Sequence, residues 1–494
     1  MNFPKQGMTK SNLLRQMKQG KETDAKWQEG RTFSLIYNPA NDEITQMVKE
    51  AYSLFFSENG LNPHTFPSLK KMENEVIAMC TSLFRGSENA CGSLTSGGTE
   101  SIFLAVKTAR EWAKKHKSYI KKPEIILASS AHPAFQKACH YLGIKTVVVP
   151  MDTTYRADMT SIWQAINRNT IMIVGSAPAY PHGVIDPIEK MAKLALENNI
   201  LLHVDACVGG FMLPFMEKLG YEVPSFDFSL EGVTSISADL HKYGYAAKGV
   251  SVILYKNREL RKQQFFVYTN WVGGIYASQT AGGTRPGGAI ASAWAAINGI
   301  GLDGYLKLVK TTMNTTTKLK RGIESIDGLK ILGQPDMSIL AVASDKINIY
   351  AVADELSAKG WYIDRQQSPP SIHLTISPIH AQYMDEFLID LREAYANVNK
   401  ISLNKITTKI QVAAVKGLKR FLPDKAFNKI QTTVTKRSTV NTNTKTAALY
   451  GMMSVLADSD NLDEMILDLL DKTYTLKETK AVSYTHLRAH ETSE

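Results

Sequence analysis

Residues 170–206 read TIMIVGSAPAYPHGVIDPIEKMAKLALENNILLHVDA. Two short runs of aliphatic and β-branched residues, Thr170–Val174 and Ile200–Val204, flank a stretch, Ile188–Glu197, whose apolar residues recur at helical spacing. Neither run alternates with polar residues, so both are expected to be buried on both faces, as strands of a parallel sheet covered by helices are. The same grammar extends outward. Glu124–Ala128, Lys145–Val149 and Val250–Leu254 are further strand-like runs, and Ser101–His116 is a further helical stretch. Strands alternating with helices from about Cys91 to Lys256 predict an α/β domain with a mostly parallel sheet, and such sheets bind ligands at the carboxyl ends of their strands.

Beyond Gly301 the pattern changes. Long helical stretches, Leu302–Ile326 and Ala381–Val398, surround the strand-like runs Ser338–Ala343 and Ser371–Ile376, which predicts a smaller α+β domain. The expected organisation is an N-terminal segment, 1–58, a large domain, 59–302, and a small C-terminal domain, 303–481, that carries a basic insertion at 401–445. Helix is expected to resume over Thr446–Tyr474, and residues 482–494, which share no periodicity with what precedes them, are expected to be a non-native tail.

Composition narrows the function classes. Over 494 residues, 44% are hydrophobic and 21% charged, which excludes fibrous and disordered chains. Met1–Arg31 contains no apolar run of the length a signal peptide or anchor needs, so a soluble, cytoplasmic protein is expected. Cys80, Cys91, Cys139 and Cys207 lack zinc spacing and are too few to staple the chain. The formal charge of +10 is concentrated in 401–445, where Lys405, Lys409, Lys416, Lys419, Arg420, Lys425, Lys429, Lys436, Arg437 and Lys445 face Asp424 alone. Such a distribution argues against a nucleic-acid partner. Ile406, Ile410, Val415, Leu418 and Phe421 recur near helical spacing among those lysines, so the segment reads either as a solvated insertion or as a membrane-surface contact.

Three features point to chemistry. Ser237-Ala-Asp-Leu-His-Lys242-Tyr-Gly places a lysine in a small polar loop before an apolar strand, where burial and neighbouring cations can free its amine for condensation with an aldehyde. His203-Val-Asp205 sets an acid at the end of an apolar run, where a carboxylate can hold a protonated ring nitrogen. Thr95-Ser-Gly-Gly-Thr-Glu-Ser101 is a glycine turn that opens a helix, and backbone N–H groups there can cradle a phosphate. It lacks the Gly-Lys-Ser/Thr of a nucleotide-binding P-loop. No second ligand stands at metal spacing beside His203, so no metal is expected.

These blocks, in this order, with Ala131-His132-Pro, Gly175-Ser176-Ala-Pro and Pro181-His-Gly-Val-Ile-Asp-Pro187 between them, resemble the fold-type I pyridoxal 5'-phosphate (PLP) decarboxylase superfamily. The resemblance is closer to its sphingosine-1-phosphate lyase family through Trp271-Val-Gly-Gly-Ile-Tyr-Ala-Ser278, Gly283-Thr-Arg-Pro-Gly-Gly288, Gly360-Trp, Pro369-Pro-Ser-Ile-His373 and Tyr450-Gly-Met, and it spans about Gly30 to Tyr474. It implies that Lys242 holds PLP as a Schiff base, that Asp205 pairs with the ring nitrogen and that His132 stacks on the ring. Ser96, Gly97, Gly98 and His241 would hold the cofactor phosphate, with Ser176 and His203 beside the cofactor and Gly283 and Thr284 reaching it from the second chain of a homodimer. Tyr37, Lys248 and the 62 position would meet a substrate phosphate, but Asn62 stands where the animal-type family carries a histidine. The implied reaction is retro-aldol cleavage of a phosphorylated sphingoid base to a fatty aldehyde and phosphoethanolamine, with Lys242, Tyr243 or the cofactor phosphate as the base. An amino-acid decarboxylase and a non-catalytic scaffold are the rival readings.

Overall fold

Seven strands form the central sheet: β1 (Cys91–Thr95), β2 (Glu124–Ala128), β3 (Lys145–Val149), β4 (Thr170–Ser176), β5 (Leu201–Asp205), β6 (Ser235–Ala238) and β7 (Ser251–Tyr255). Their spatial order is β1-β7-β6-β5-β4-β2-β3. Strands β2 to β6 pair in parallel, whereas β7 runs antiparallel to both β6 and β1, so β1 points the same way as the rest. The computed structural model describes residues 3–400 and 460–475. Met1–Ser402 forms one packed unit, and the unit after it contributes the described helix Asp460–Tyr474. The 401–445 insertion, residues 446–459 with the Tyr450-Gly-Met block, and the 482–494 tail lie outside the described residues.

Uninterrupted apolar strands are buried here because each supplies both layers. Successive side chains of a strand point to opposite faces. Accordingly Ile126, Ile173 and Leu254 join one hydrophobic cluster, while Ile125, Leu127, Met172, Val174, Ile253 and Tyr255 join another. The Ile188–Glu197 helix buries Ile188, Met191, Ala192 and Ala195, the stripe a 3.6-residue period lays on one side. At the sheet edge β3 is only partly covered, with Val148 half exposed.

A second, antiparallel sheet comprises β10 (Lys330–Ile331), β11 (Ile339–Ala343), β12 (Asp364–Gln367) and β13 (Pro370–Thr375), in the order β10-β11-β13-β12. Between the two sheets in sequence stands a hairpin, β8 (Phe266–Trp271) and β9 (Gly274–Ser278), whose residues are largely exposed. A helical stretch, Gly287–Glu324, links the hairpin to the second sheet and is broken at Gly301, where φ is 62° and ψ 178°. The N-terminal segment is sewn to the second sheet: Thr32 bridges Tyr362, and the buried Phe33 ring stacks on His380 at 4.4 Å. Among the described residues no helix is long and apolar enough to cross a membrane.

The break at Gly301 sits in a backbone region that only glycine occupies without strain, although nothing lies within 4 Å of where a Cβ would be. Gly301→Ala should therefore cost about 2 kcal/mol through the backbone alone. A urea titration reads this as a lower unfolding midpoint at unchanged slope, and an unchanged midpoint would refute it.

Candidate active site

Parallel strands that end on one edge deliver their following residues to one place. Ser96, Gly97 and Gly98 follow β1, His132 follows β2, Ser176 ends β4, Asp205 ends β5, and Asp239, His241 and Lys242 follow β6. All of them line a cavity of about 510 Å³, joined by Leu35, Tyr37, Tyr180, Cys207 and Lys248.

Lys242 sits in a tight loop. A Cβ on Gly244 would lie 2.5 Å from the Leu240 carbonyl oxygen, so only glycine lets the chain turn back so closely after the lysine. The Lys242 ammonium lies 2.9 Å from Asp239, a buried carboxylate that also accepts a hydrogen bond from Ser251 and faces His241 Nε2 at 3.8 Å. Burial works to lower the Lys242 pKa, but the Asp239 charge outweighs it and the net shift is upward. Burial likewise raises the Asp239 pKa, and Lys242 and His241 more than reverse it. The free amine that the sequence reading expects from burial is thus not what the neighbours favour. Asp239, within the quoted Ser-Ala-Asp-Leu-His-Lys run but not singled out there, holds the proton on Lys242.

Asp205 is fixed through one oxygen. Its Oδ1 accepts from Cys207 N at 3.0 Å and from Ser237 Oγ at 3.3 Å, and among the described residues no hydrogen bond reaches Oδ2. His132 presents its ring with Nδ1 already accepting from Ala134 N at 3.1 Å, so its other ring nitrogen is free to point elsewhere. His241 is oriented by its Nδ1 hydrogen bond of 2.8 Å to the Val250 carbonyl.

The glycine turn opens the Gly98–His116 helix, whose first N–H groups have no intrahelical acceptor. A Cβ on Gly98 would come within 2.9 Å of the Asp239 carboxylate and of Cys207 Sγ, so the turn must stay bare to reach the lysine loop. Glu100, also not singled out from sequence, accepts from Ser96 N at 2.6 Å and from Ala281 N at 2.8 Å, tying the turn to the segment after the hairpin. These residues fit a phosphorylated pyridine aldehyde: an N–H cradle for the phosphate, a lysine for the aldehyde and a half-free carboxylate for a ring nitrogen.

Elsewhere on the cavity wall, Lys248 Nζ lies 5.4 Å from the centre of the Tyr37 ring and donates to the carbonyls of Leu35 and His241 at 2.9 and 3.2 Å. Although the residue as a whole is exposed, desolvation of the ammonium, and then the Lys242 charge, lower its pKa to about 8. Burial pushes the Tyr37 hydroxyl up to about 12, so it stays a donor.

Several expected residues do not reach this cavity. Tyr243 turns inward, its hydroxyl 2.6 Å from both Ser338 Oγ and the Ile376 carbonyl, so it is spoken for and is not a base at the site. His203 lies fully buried behind Asp205 and touches Ser235 and Ser237 instead. Asn62 caps its own turn, accepting from His64 N and Thr65 N, and is not part of the cavity wall. Gly283 is also absent from that wall, and Thr284 lines an adjoining small cavity that shares Ser96, Glu100 and Gly249 with the first.

Replacing Asp239 by Asn keeps the shape and removes the charge that holds Lys242 protonated. The lysine pKa then falls, and the pH at which the protein develops visible absorbance on mixing with PLP should move downward. A pH titration of that absorbance in the variant and the unchanged protein tests this, and coincident midpoints would show that Asp239 does not set the lysine.

The model of the pyridoxal-dependent decarboxylase conserved domain matches residues 9–342. A sphingosine-1-phosphate lyase of Oryza sativa subsp. japonica is 46% identical over 385 residues, 76% of this chain and 71% of that one. The Saccharomyces cerevisiae sphingosine-1-phosphate lyase is 36% identical over 485 residues, 96% of this chain and 76% of its own. Among solved structures, the sphingosine-1-phosphate lyase of Burkholderia pseudomallei superposes with a TM-score of 0.78 at 38% identity, covering 86% of this chain and 98% of that one. With a lysine, an acid and a phosphate cradle converging on one cavity, and with relatives of this likeness along most of its length, the chain belongs to the sphingosine-1-phosphate lyase family of PLP-dependent enzymes.

Proposed function

We propose that the protein is a PLP-dependent carbon–carbon lyase that cleaves phosphorylated long-chain 2-amino-3-hydroxy bases to a fatty aldehyde and phosphoethanolamine. The observation that carries this reading is the pairing, in one cavity, of the Lys242–Asp205–glycine-turn set with a second, separate grip for an anion at Lys248 and Tyr37. The family relatives, sphingosine-1-phosphate lyases at 36–46% identity, support the same substrate class.

When bound, PLP supplies an electron sink for the pair released as the bond between carbons 2 and 3 breaks. The chain's own groups do the rest. Lys242 Nζ would hold the cofactor covalently, and with Asp239 2.9 Å away it is the amine placed to take up and hand back a proton. Asp205 would pair with the ring nitrogen, His132 would cover the ring, and Ser96, Gly97, Gly98 and His241 would bind the cofactor phosphate, with Ser176 at the cavity wall. Lys248, with a pKa of about 8, is cationic at neutral pH and positions the substrate phosphate together with the Tyr37 hydroxyl.

A homodimer with shared sites belongs to this reading, with Gly283 and Thr284 reaching the cofactor of the other chain. The exposed apolar side chains of the hairpin, Phe266, Trp271, Val272 and Ile275 among them, support a second copy as their cover. The cytoplasm is the proposed compartment, since all four cysteines are buried and free. No nucleic-acid partner is proposed. Contact of 401–445 with an acidic membrane surface is, and vesicle sedimentation that is unchanged after deleting residues 403–444 would dismiss it.

The first test is to incubate the PLP-loaded protein with sphinganine 1-phosphate and follow both products by mass spectrometry. Both should appear, and Lys242→Ala should abolish them together with the visible absorbance. A loaded protein that yields no aldehyde but releases carbon dioxide from an amino acid would make it a decarboxylase instead. Lys248→Ala removes a charge-assisted hydrogen bond worth about 1.5–3 kcal/mol, so KM should rise roughly 10- to 100-fold with a much smaller change in kcat. Steady-state kinetics showing the reverse split would move Lys248 out of substrate binding.

A further inference from the structure

Behind Asp205 lie His203, Ser235 and Ser237, none of which borders the cavity. Parallel pairing sets His203 on β5 opposite Ser235 on β6, and Asp205 opposite Ser237. Because residues two apart share a face, all four side chains stand on the same side of the sheet. His203 Nδ1 is 2.9 Å from Ser235 Oγ, His203 Nε2 is 3.2 Å from Ser237 Oγ, and Ser237 Oγ is 3.3 Å from Asp205 Oδ1. The Cys207 thiol approaches Ser237 Oγ at 3.4 Å, and the His203 ring is held edge-on against Phe135. His203, Ser235 and Ser237 are buried almost completely.

Counting protons orders this line. A serine hydroxyl has one proton to give and two lone pairs to receive with, and an ionised carboxylate only receives. The Ser237 proton therefore goes to Asp205. Its lone pairs then receive from the Cys207 thiol and from His203, which must carry its proton on Nε2. Nδ1 is left bare and receives from the Ser235 hydroxyl. Burial drives the His203 pKa down to about 4, so the ring is neutral and holds this single tautomer at neutral pH. Every donor has an acceptor, and the far end of the line is one oxygen of Asp205.

We propose that His203 and Ser237 are positioning residues that commit Asp205 Oδ1 to the protein and thereby present Oδ2 to the ring nitrogen of the cofactor. The proposal rests on the reading of Asp205 as the ring-nitrogen partner. Ser237 supplies one of the two hydrogen bonds that hold Oδ1, and His203 fixes the direction of the Ser237 proton. Without His203 the serine proton is free to turn toward another acceptor. Without Ser237 the carboxylate keeps only the Cys207 N–H and can rotate.

The test loads the protein with PLP carrying nitrogen-15 in its ring and reads the ring-nitrogen chemical shift at neutral pH, together with the cofactor dissociation constant. Ser237→Ala and His203→Leu should move the ring nitrogen toward its unprotonated shift and weaken cofactor binding about tenfold, the loss expected when one hydrogen bond to a charged group is removed. His203→Gln should restore both, because the glutamine amide nitrogen reaches the place of Nε2 and donates as it does. Asp205→Asn is the control. If it moves the ring signal while Ser237→Ala and His203→Leu do not, the positioning role is wrong and the Asp205 reading stands. If Asp205→Asn leaves the signal in place, the Asp205 reading fails and this inference falls with it. A His203→Gln variant as defective as His203→Leu would also overturn the proposal, since packing and not a donated proton would then be what His203 supplies. Ser237→Ala removes a single atom, so it decides the question even if both His203 variants fail to fold.

Discussion

The 2.9 Å contact between Lys242 and the buried Asp239 carboxylate is the constraint around which the site is arranged. Two charges withdrawn from water are tolerated only when each finds its partner and its remaining hydrogen bonds, and leaving one of them alone costs about 3–5 kcal/mol. Asp239 meets that condition with Lys242, His241 and Ser251 around it, and Gly98 keeps clear so that the carboxylate can sit against the helix opening. The same carboxylate thus orients Lys242 and abuts the glycine turn. A lysine without it would be a freer amine but a wandering one.

Much of the large domain is legible in its sequence for one reason: strands buried on both faces are continuous apolar runs, and their ends mark the ligand edge. Lys242, Asp205 and the glycine turn are visible because each stands just past such a run. What escapes is lateral. Asp239 is three residues from Lys242, yet nothing in the run tells which way a side chain in a tight loop will face. Tyr243, adjacent to Lys242, faces away because Ser338 and Ile376, about a hundred residues on, offer its hydroxyl two partners. His203 lies a layer behind the cofactor edge because a strand alternates by twos and Asp205, not His203, is the last residue of β5. The exposure of the β8–β9 hairpin depends on what covers it, which no local pattern encodes.

The second sheet takes part in the site through these lateral links. Tyr243 pins the lysine loop between the start of β11 and the end of β13, and the Tyr37 ring packs edge-on against Tyr243 at 4.8 Å. Tyr37 is in turn carried by the N-terminal segment that Phe33 and Thr32 fasten to Tyr362 and His380. Lys248 closes the ring by donating to Leu35 on that segment and to His241 on the lysine loop. The lysine loop and the Lys248–Tyr37 pair therefore share one mechanical frame, and Tyr243, its hydroxyl held by Ser338 and Ile376, helps set the distance between them.

Glu100 extends the frame in the other direction. One of its oxygens holds the N–H of Ser96 in the phosphate turn, and the other holds the N–H of Ala281, two residues before Gly283. Downstream, Arg285 is clamped by the buried Glu73, which also receives the N–H of Leu94 in β1 and a side-chain hydrogen bond from Gln279. Segment 279–285 is therefore bound at both ends to the strand and turn that form the cradle, so Gly283 and Thr284 are presented outward from a rigid base. If those two residues reach a neighbouring chain, their reach is set by the same glutamates that shape the cradle at home. Each cofactor site would then be tuned by the geometry of the other, and a change at Glu100 or Glu73 would be felt in both.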